Sequence, residues 1–187
     1  MDDQQTKILL GYKLSARGQA AIEICERGAP FRPCQLAVVE IDQSAIAAYE
    51  GWRNNLFDFG WERVLLWKRK PAHARALDIA VWNDGVLAGL CWASPQDSHD
   101  KILVFYLQRN PDRTLPTTGF IAPLCLSAVR NYGLLSGFDW VVVKNPIPEA
   151  RAAYLRDGFR QVPGVGLAYK LTKAYAVLNQ EVINHDD

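Results

Sequence analysis

No Cys-x-x-Cys pair occurs in the sequence: Cys25, Cys34, Cys91 and Cys125 lie far apart, with no histidines at ligand intervals. That excludes the common zinc modules and leaves reduced, mostly buried thiols as the expectation. No apolar run approaches about 18 residues, and the segment from Met1 to Gln5 is polar and acidic where a secretion signal is basic and then apolar. A cytoplasmic chain without a membrane span is expected. Internal repeats, low-complexity tracts and long linkers are missing too. Nor is there an excess of charge. Lys plus Arg number 21 against 20 Asp plus Glu, so no net field recruits nucleic acid or an anionic membrane.

What remains is the composition of a globular protein. Hydrophobic residues make up 49% and charged residues 22% of 187, a length that buries one substantial core. Residues 1–33 read as an N-terminal extension, helical and packed on the domain, 34–173 as the domain, and 174–187 as a C-terminal helix or tail. In the extension, Ile8, Leu9, Tyr12, Ala16, Ala20 and Ile24 recur near one face at helical spacing from about Lys7 to Arg27, with Gly11 and Gly18 as interruptions. After the break at Gly28 to Pro33, Cys34 to Asp42 reads as a strand. Asp42 or Ser44 then caps a helix over Ala45 to Leu56, and a turn through Phe57 to Trp61 leads to a second helix over Glu62 to Lys70.

The clearest local signal is Leu77 to Trp82 and Val86 to Trp92 flanking Asn83-Asp84-Gly85. Two β-rich runs joined by residues that tolerate positive φ predict an antiparallel hairpin. Lys101 to Leu107 follows as a third strand. Leu124 to Gly133 reads as a helix ending near its glycine, and Asp139 to Lys144 as a buried strand. Pro148 and Glu149 suit the first turn of a helix that runs to Asp157 and stops at Gly158. A final hairpin joins Arg160 to Val162 with Leu167 to Leu171, and a short helix over Ala174 to Ile183 closes the chain. The expectation is an α/β (α+β) domain: a mixed central sheet of six to seven strands flanked by about four helices, plus the N-terminal helix.

Residues Asn145, Ala150, Tyr154, Gly158 and Phe159 narrow this further. Helix positions four apart share a face, so small Ala150 leaves room beside Tyr154, and Gly158 ends the helix so that Phe159 turns inward. The element order over Gln35 to Leu171 and the run Ala-x-x-x-Tyr-x-x-x-Gly-Phe resemble the GNAT acetyltransferases. Asn145 stands two residues farther from Ala150 than in that pattern.

The resemblance implies transfer of an acetyl group from acetyl-CoA, as acyl donor, to an amine on a small molecule or a protein. By similarity, Tyr154 would donate a hydrogen bond or proton to the departing thiolate; a half-buried helix aromatic is the alternative. Leu107, Asn145, Ala150 and Tyr154 would line the pantetheine arm. The family's phosphate loop, Arg/Gln-x-x-Gly-x-Gly/Ala, maps onto the stretch holding Gly119, with Pro116 at the Arg/Gln place and Ile121 at the second small place. Thr117, Thr118 and Gly119 would offer hydroxyls and amides there, Arg109 or Arg113 the charge, and Pro123 points to a distorted helix start. Trp52, Phe57, Phe59 and Trp61 fall where the family covers its acceptor, with Tyr106 on the fourth strand. Asp78 and Glu62 are stand-ins for a general base or ordinary solvated or capping carboxylates, and His73 and His99 have no evident partners. Two other readings stand beside the enzyme: a GNAT-like binding module that has lost transfer, and a toxin-like acetyltransferase acting on a protein or aminoacyl-tRNA. A homodimer is compatible with all three.

Overall fold

Side-chain alternation along short β-rich runs lets each strand bury one set of residues on each face of a single sheet. In the computed structural model, which describes residues 2–52, 58–95 and 98–172, the elements are α1 (Asp3–Glu26), β1 (Leu36–Val39), α2 (Gln43–Glu50), α3 (Glu62–Trp67), β2 (Leu77–Asn83), β3 (Val86–Ser94), β4 (Lys101–Arg109), α4 (Ile121–Leu135), β5 (Trp140–Val143), α5 (Pro148–Arg156), β6 (Arg160–Val162) and β7 (Gly166–Lys170). The seven-stranded sheet has the order β1-β2-β3-β4-β5-β7-β6. Among the described residues only β4 and β5 run parallel. That gives the expected mixed sheet and four flanking helices, with α1 added.

Several boundaries differ from the sequence reading. Gly11 and Gly18 do not interrupt α1, because a helix packed along one face tolerates the roughly 1 kcal/mol propensity cost of each. β1 starts at Leu36, since Pro33 to Gln35 form a 3-10 turn. α2 is capped by Asp42, which accepts from the Ala45 amide at 2.9 Å, but it stops at Glu50; its expected extension overlaps residues 53–57, outside the described residues. α3 ends at Trp67 instead of Lys70. α4 is longer than expected at both ends. Gly133 lies within it, where a Cβ would come 2.7 Å from Leu171 Cδ1, and the chain turns out at Gly137 with φ +77°. The expected tail helix lies outside the described residues. The hairpin stands as read: Asp84 and Gly85 both have positive φ, 47° and 79°, the geometry of a two-residue type I′ turn.

Two cores follow from the two faces. Ile79, Val81, Cys91, Ala93, Ile102, Val104, Val141 and Val143 pack against α1, α4 and α5. Ala80, Leu90 and Trp92 point the other way, against Ile46 and Tyr49 of α2 and Val64 of α3. α4 is sandwiched between the sheet and α1, and even its polar residues are buried. Ser127 and Asn131 satisfy themselves on Glu23 of α1, and Arg130 donates to Asp157 at 2.6 Å. The fit of α4 on the sheet is close at Gly89, where a Cβ would lie 2.3 Å from Ile121 Cγ2. Gly89→Ala therefore overpacks this contact, and urea denaturation should read a loss of about 1–3 kcal/mol. A loss below about 0.5 kcal/mol would show that Ile121 simply moves aside.

Candidate active site

The site begins where two parallel strands separate. β4 pairs with β5 only through Lys101 to Val104, and the last bond runs from the Lys144 amide to the Val104 carbonyl at 2.9 Å. Beyond it, β4 continues to Arg109 while the other chain turns away at Asn145, whose φ of 48° is a left-handed conformation that asparagine tolerates. A register shift in the β3–β4 pairing puts Tyr106 opposite Trp92 and Val104 opposite Ala93, leaving Phe105 as the extra residue of a bulge. The edge of β4 facing the gap, from Phe105 to Leu107 and onward, has no strand partner among the described residues.

At the far end of this gap α4 begins. Its first turn has no side-chain cap, and the backbone N–H groups of Gly119, Ile121 and Ala122 have no acceptor among the described residues. Unpaired amides at the positive end of a 15-residue helix are suited to an anion. Two departures from the family's loop pattern have a structural account. Pro123 sits in the first turn, where no intrahelical partner exists for its missing N–H, so α4 starts regularly. Ile121 is buried over Gly89, so its bulk fills the core and not the loop. Thr117 is buried as well, and the Thr118 hydroxyl donates to the Arg113 carbonyl at 3.2 Å. Arg109 is half-buried and donates to the Asn110 carbonyl at 2.8 Å, whereas Arg113 is exposed.

Tyr154 comes from α5 into the core beside Cys91 of β3 and Cys125 of α4. The helix ends in a Schellman turn: the Phe159 amide bonds to the Tyr154 carbonyl at 3.1 Å and the Gly158 amide to the Leu155 carbonyl at 3.2 Å. Gly158 has φ +92°, and a Cβ there would approach Tyr169 Cε2 to 3.1 Å, so both conformation and space call for glycine. Phe159 is fully buried, and its ring meets that of Tyr154 at 6.1 Å. Ala150 packs on the same core. Burial, and then the neighbouring Cys91 and Cys125, push the Tyr154 phenol up to about 12. Its hydroxyl therefore stays protonated across the neutral range and has no hydrogen-bond partner among the described residues.

The expected acceptor residues divide. Phe57 lies outside the described residues. Trp61 is 1% exposed, and its Nε1 donates to Gln108 Oε1 at 2.6 Å, which makes it a core side chain instead of a pocket wall. Tyr106 is half-buried between Phe59 at 5.2 Å and Trp67, which stacks on it at 6.0 Å. Trp52 is half-buried on the same cluster. Asp78 is engaged in a buried network. Buried at 3% exposure, it binds Lys68 Nζ at 2.9 Å, Arg17 Nη2 at 3.2 Å and the Ile41 amide at 2.8 Å, so it fastens α1 and the segments just after α3 and β1 to β2. Glu62 is exposed beside Arg63. His73 is wedged against Trp67 and Trp92, at 6.3 and 5.8 Å. Of the thiols, Cys91 and Cys125 are buried, Cys25 is half-buried and Cys34 is exposed, so the expectation of mostly buried cysteines holds for the first two only.

No protein-family model and no curated protein sequence matches the chain. Solved structures do. A protein assigned to the GNAT family of acetyltransferases from Desulfovibrio desulfuricans superposes with a TM-score of 0.54 and 14% identity, over 73% of this chain and 99% of that one. The chain has the GNAT fold. AAC(6')-Iy, bound to the bisubstrate analog CoA-S-monomethyl-acetylneamine, gives a TM-score of 0.53 at 14% identity over 70% of this chain and 94% of its own. Mycobacterium smegmatis RimJ in complex with CoA-disulfide gives 0.50 at 13% identity over 78% and 89%. At such identities the likeness is one of fold. Within this GNAT-fold chain no described helix is long and apolar enough to cross a membrane, and no cluster of metal-ligating side chains occurs among the described residues.

The sequence reading missed one group of side chains. Lys101, Lys144 and Arg151 line one cavity beside the parted strands. Their places, at a strand start, after a strand and in a helix's first turn, are ordinary for solvated cations, so spacing carried no signal.

Proposed function

We infer that the chain is an N-acetyltransferase that moves the acetyl group of acetyl-CoA to an amine. The observation that carries this reading is the conjunction of the opened β4–β5 edge with the free amides of Gly119, Ile121 and Ala122 at one end and the unpartnered, protonated Tyr154 hydroxyl. Those amides and exposed Arg113 would hold the pyrophosphate, while the free edge of β4 around Leu107 and the face of α5 around Ala150 would hold the pantetheine. Bound there, acetyl-CoA supplies an activated thioester. Tyr154 Oη would offer its hydrogen to the departing sulfur, and burial, which raises its pKa, keeps the phenol neutral and so able to donate a hydrogen bond. Asp78 is taken up by Arg17 and Lys68, so the proton of the attacking amine would leave to solvent water.

Calorimetry tests the reading. Acetyl-CoA should bind at least about 10-fold more tightly than the same thioester truncated to pantetheine, because a charge-assisted hydrogen bond contributes roughly 1.5–3 kcal/mol. Arg113→Ala should remove about 10- to 100-fold of that affinity, and Arg109→Ala less, since Arg109 already serves the Asn110 carbonyl. Equal binding of full and truncated donors would mean that the phosphates have no site here. Binding of neither would hand the chain to the alternative of a GNAT-fold interaction module.

A further inference from the structure

The α2–α3 face of the sheet is covered unevenly. α2 and α3 pack over Ala80, Leu87, Leu90 and Trp92. Farther along, Leu103 of β4 and Val142 of β5 floor an open cavity of about 470 Å³. Their neighbours Ile102, Val104, Val141 and Val143 belong to the opposite core, so alternation turns Leu103 and Val142 away from α4 and its amide-lined start. The cavity extends to Lys144 and Asn145, where the chain leaves β5 and the strands part. It therefore adjoins the gap at the point where β4 and β5 part.

Three cations line this cavity, Lys101, Lys144 and Arg151, and no carboxylate of the described residues does. The whole chain carries 21 Lys plus Arg against 20 Asp plus Glu, so no general positive excess accounts for them. None of the three makes a salt bridge among the described residues. Arg151 donates from Nη2 to Gln161 Oε1 at 3.1 Å, which holds the guanidinium against the β6 wall and leaves its other N–H groups free for a ligand. Asp100, beside Lys101 in sequence, accepts from the Ser98 hydroxyl at 2.7 Å. Lys144 and Arg151 are exposed and Lys101 is half-buried around the Leu103–Val142 floor, so an anion entering here meets three cations at once, and the volume suits a small molecule.

We propose that this cavity receives the anionic group, carboxylate or phosphate, of a small amine acceptor whose nitrogen is directed at the gap between β4 and β5. The inference rests on the acetyl-transfer reading. It separates this chain from enzymes of polycationic amines, which would meet three like charges here.

The test has a turnover arm and a binding arm. Thiol release from acetyl-CoA is followed with glutamate, O-phosphoethanolamine, ethanolamine and spermidine as acceptors, for wild type, Lys144→Ala and Arg151→Ala. The anionic amines should be preferred over ethanolamine, and spermidine should be the poorest. Each substitution should raise KM for the anionic acceptors about 10-fold or more, the loss of one charge-assisted contact, and change kcat and the acetyl-CoA dissociation constant little. Preference between glutamate and O-phosphoethanolamine identifies which oxyanion the site takes. Calorimetry with the same two compounds on the protein saturated with CoA reads the site without turnover. Preference for spermidine, an unchanged KM, or absence of anion binding would overturn the proposal while leaving acetyl transfer intact. A fall confined to acetyl-CoA affinity would overturn it too, by giving the cations to the donor. If acetyl-CoA itself does not bind but the anions do, in a Lys144-dependent way, the transferase reading fails and the anion site stands.

Discussion

Tyr154→Phe should lower turnover about 10- to 1000-fold while leaving the affinity for acetyl-CoA nearly unchanged. The substitution removes only the hydroxyl. The ring keeps its contact with Phe159 and its place in the core formed by α4, α5 and the sheet. No hydrogen bond of the hydroxyl to a described residue is lost, so the fold has little reason to respond. A donor role thus separates from a packing role: the first reduces kcat alone, whereas the second reduces stability together with activity. The pH dependence adds an independent check. The phenol is raised by burial to about 12, so it stays fully protonated below about pH 10 and the wild-type rate should show no alkaline fall in that range from Tyr154. The stability linked to it has the same sign: a folded pKa above the unfolded value near 10 gives a contribution present below pH 10 and lost as pH rises toward 12. A kcat for Tyr154→Phe within about twofold of wild type would remove the hydroxyl from the chemistry.

The helix carrying Tyr154 was the most legible part of the chain because its signals are local. Pro148, Ala150, Tyr154, Gly158 and Phe159 each act within one helix and its cap, and every one of them occupies the place its residue type predicts. The Asp84-Gly85 hairpin was legible for the same reason. Residues decided by tertiary packing were not. Ile121 looked like a fault in an anion loop because sequence does not tell that it lies against Gly89, thirty-odd positions earlier. Trp61 reads as a pocket aromatic until Gln108 is seen to hold its ring nitrogen. The cationic cavity joins a residue of β4 to residues beyond β5 and in α5, elements that meet only once the parallel pairing forms. Asp78 sits in a run whose alternation was clear, but its role depends on Arg17 and Lys68, which come from two other elements.

That buried carboxylate carries the largest stability effect expected in the molecule. Asp78→Ala removes the counter-charge from Arg17 and Lys68 and the acceptor from the Ile41 amide, whose residue is fully buried. Losing one partner of a buried pair costs about 3–5 kcal/mol. The lower end applies here, because Arg17 keeps the Asp78 backbone carbonyl at 2.7 Å and Lys68 keeps Glu40 at 2.5 Å. A loss of about 3 kcal/mol lowers Tm by roughly 6–12 °C in a chain of this size. Because α1 reaches the sheet through Arg17, its backbone amides should exchange with solvent faster in the variant, more so than those of α5. Adding Arg17→Met to Asp78→Ala should recover part of the loss, since it removes the stranded guanidinium; additive losses instead would show that the pair is not coupled. The same substitutions decide the catalytic question. A general base lost at Asp78 would reduce kcat at full stability and remove an ionisation from the pH–rate profile, while a fastening carboxylate lowers Tm and leaves the kcat of the remaining folded protein near wild type.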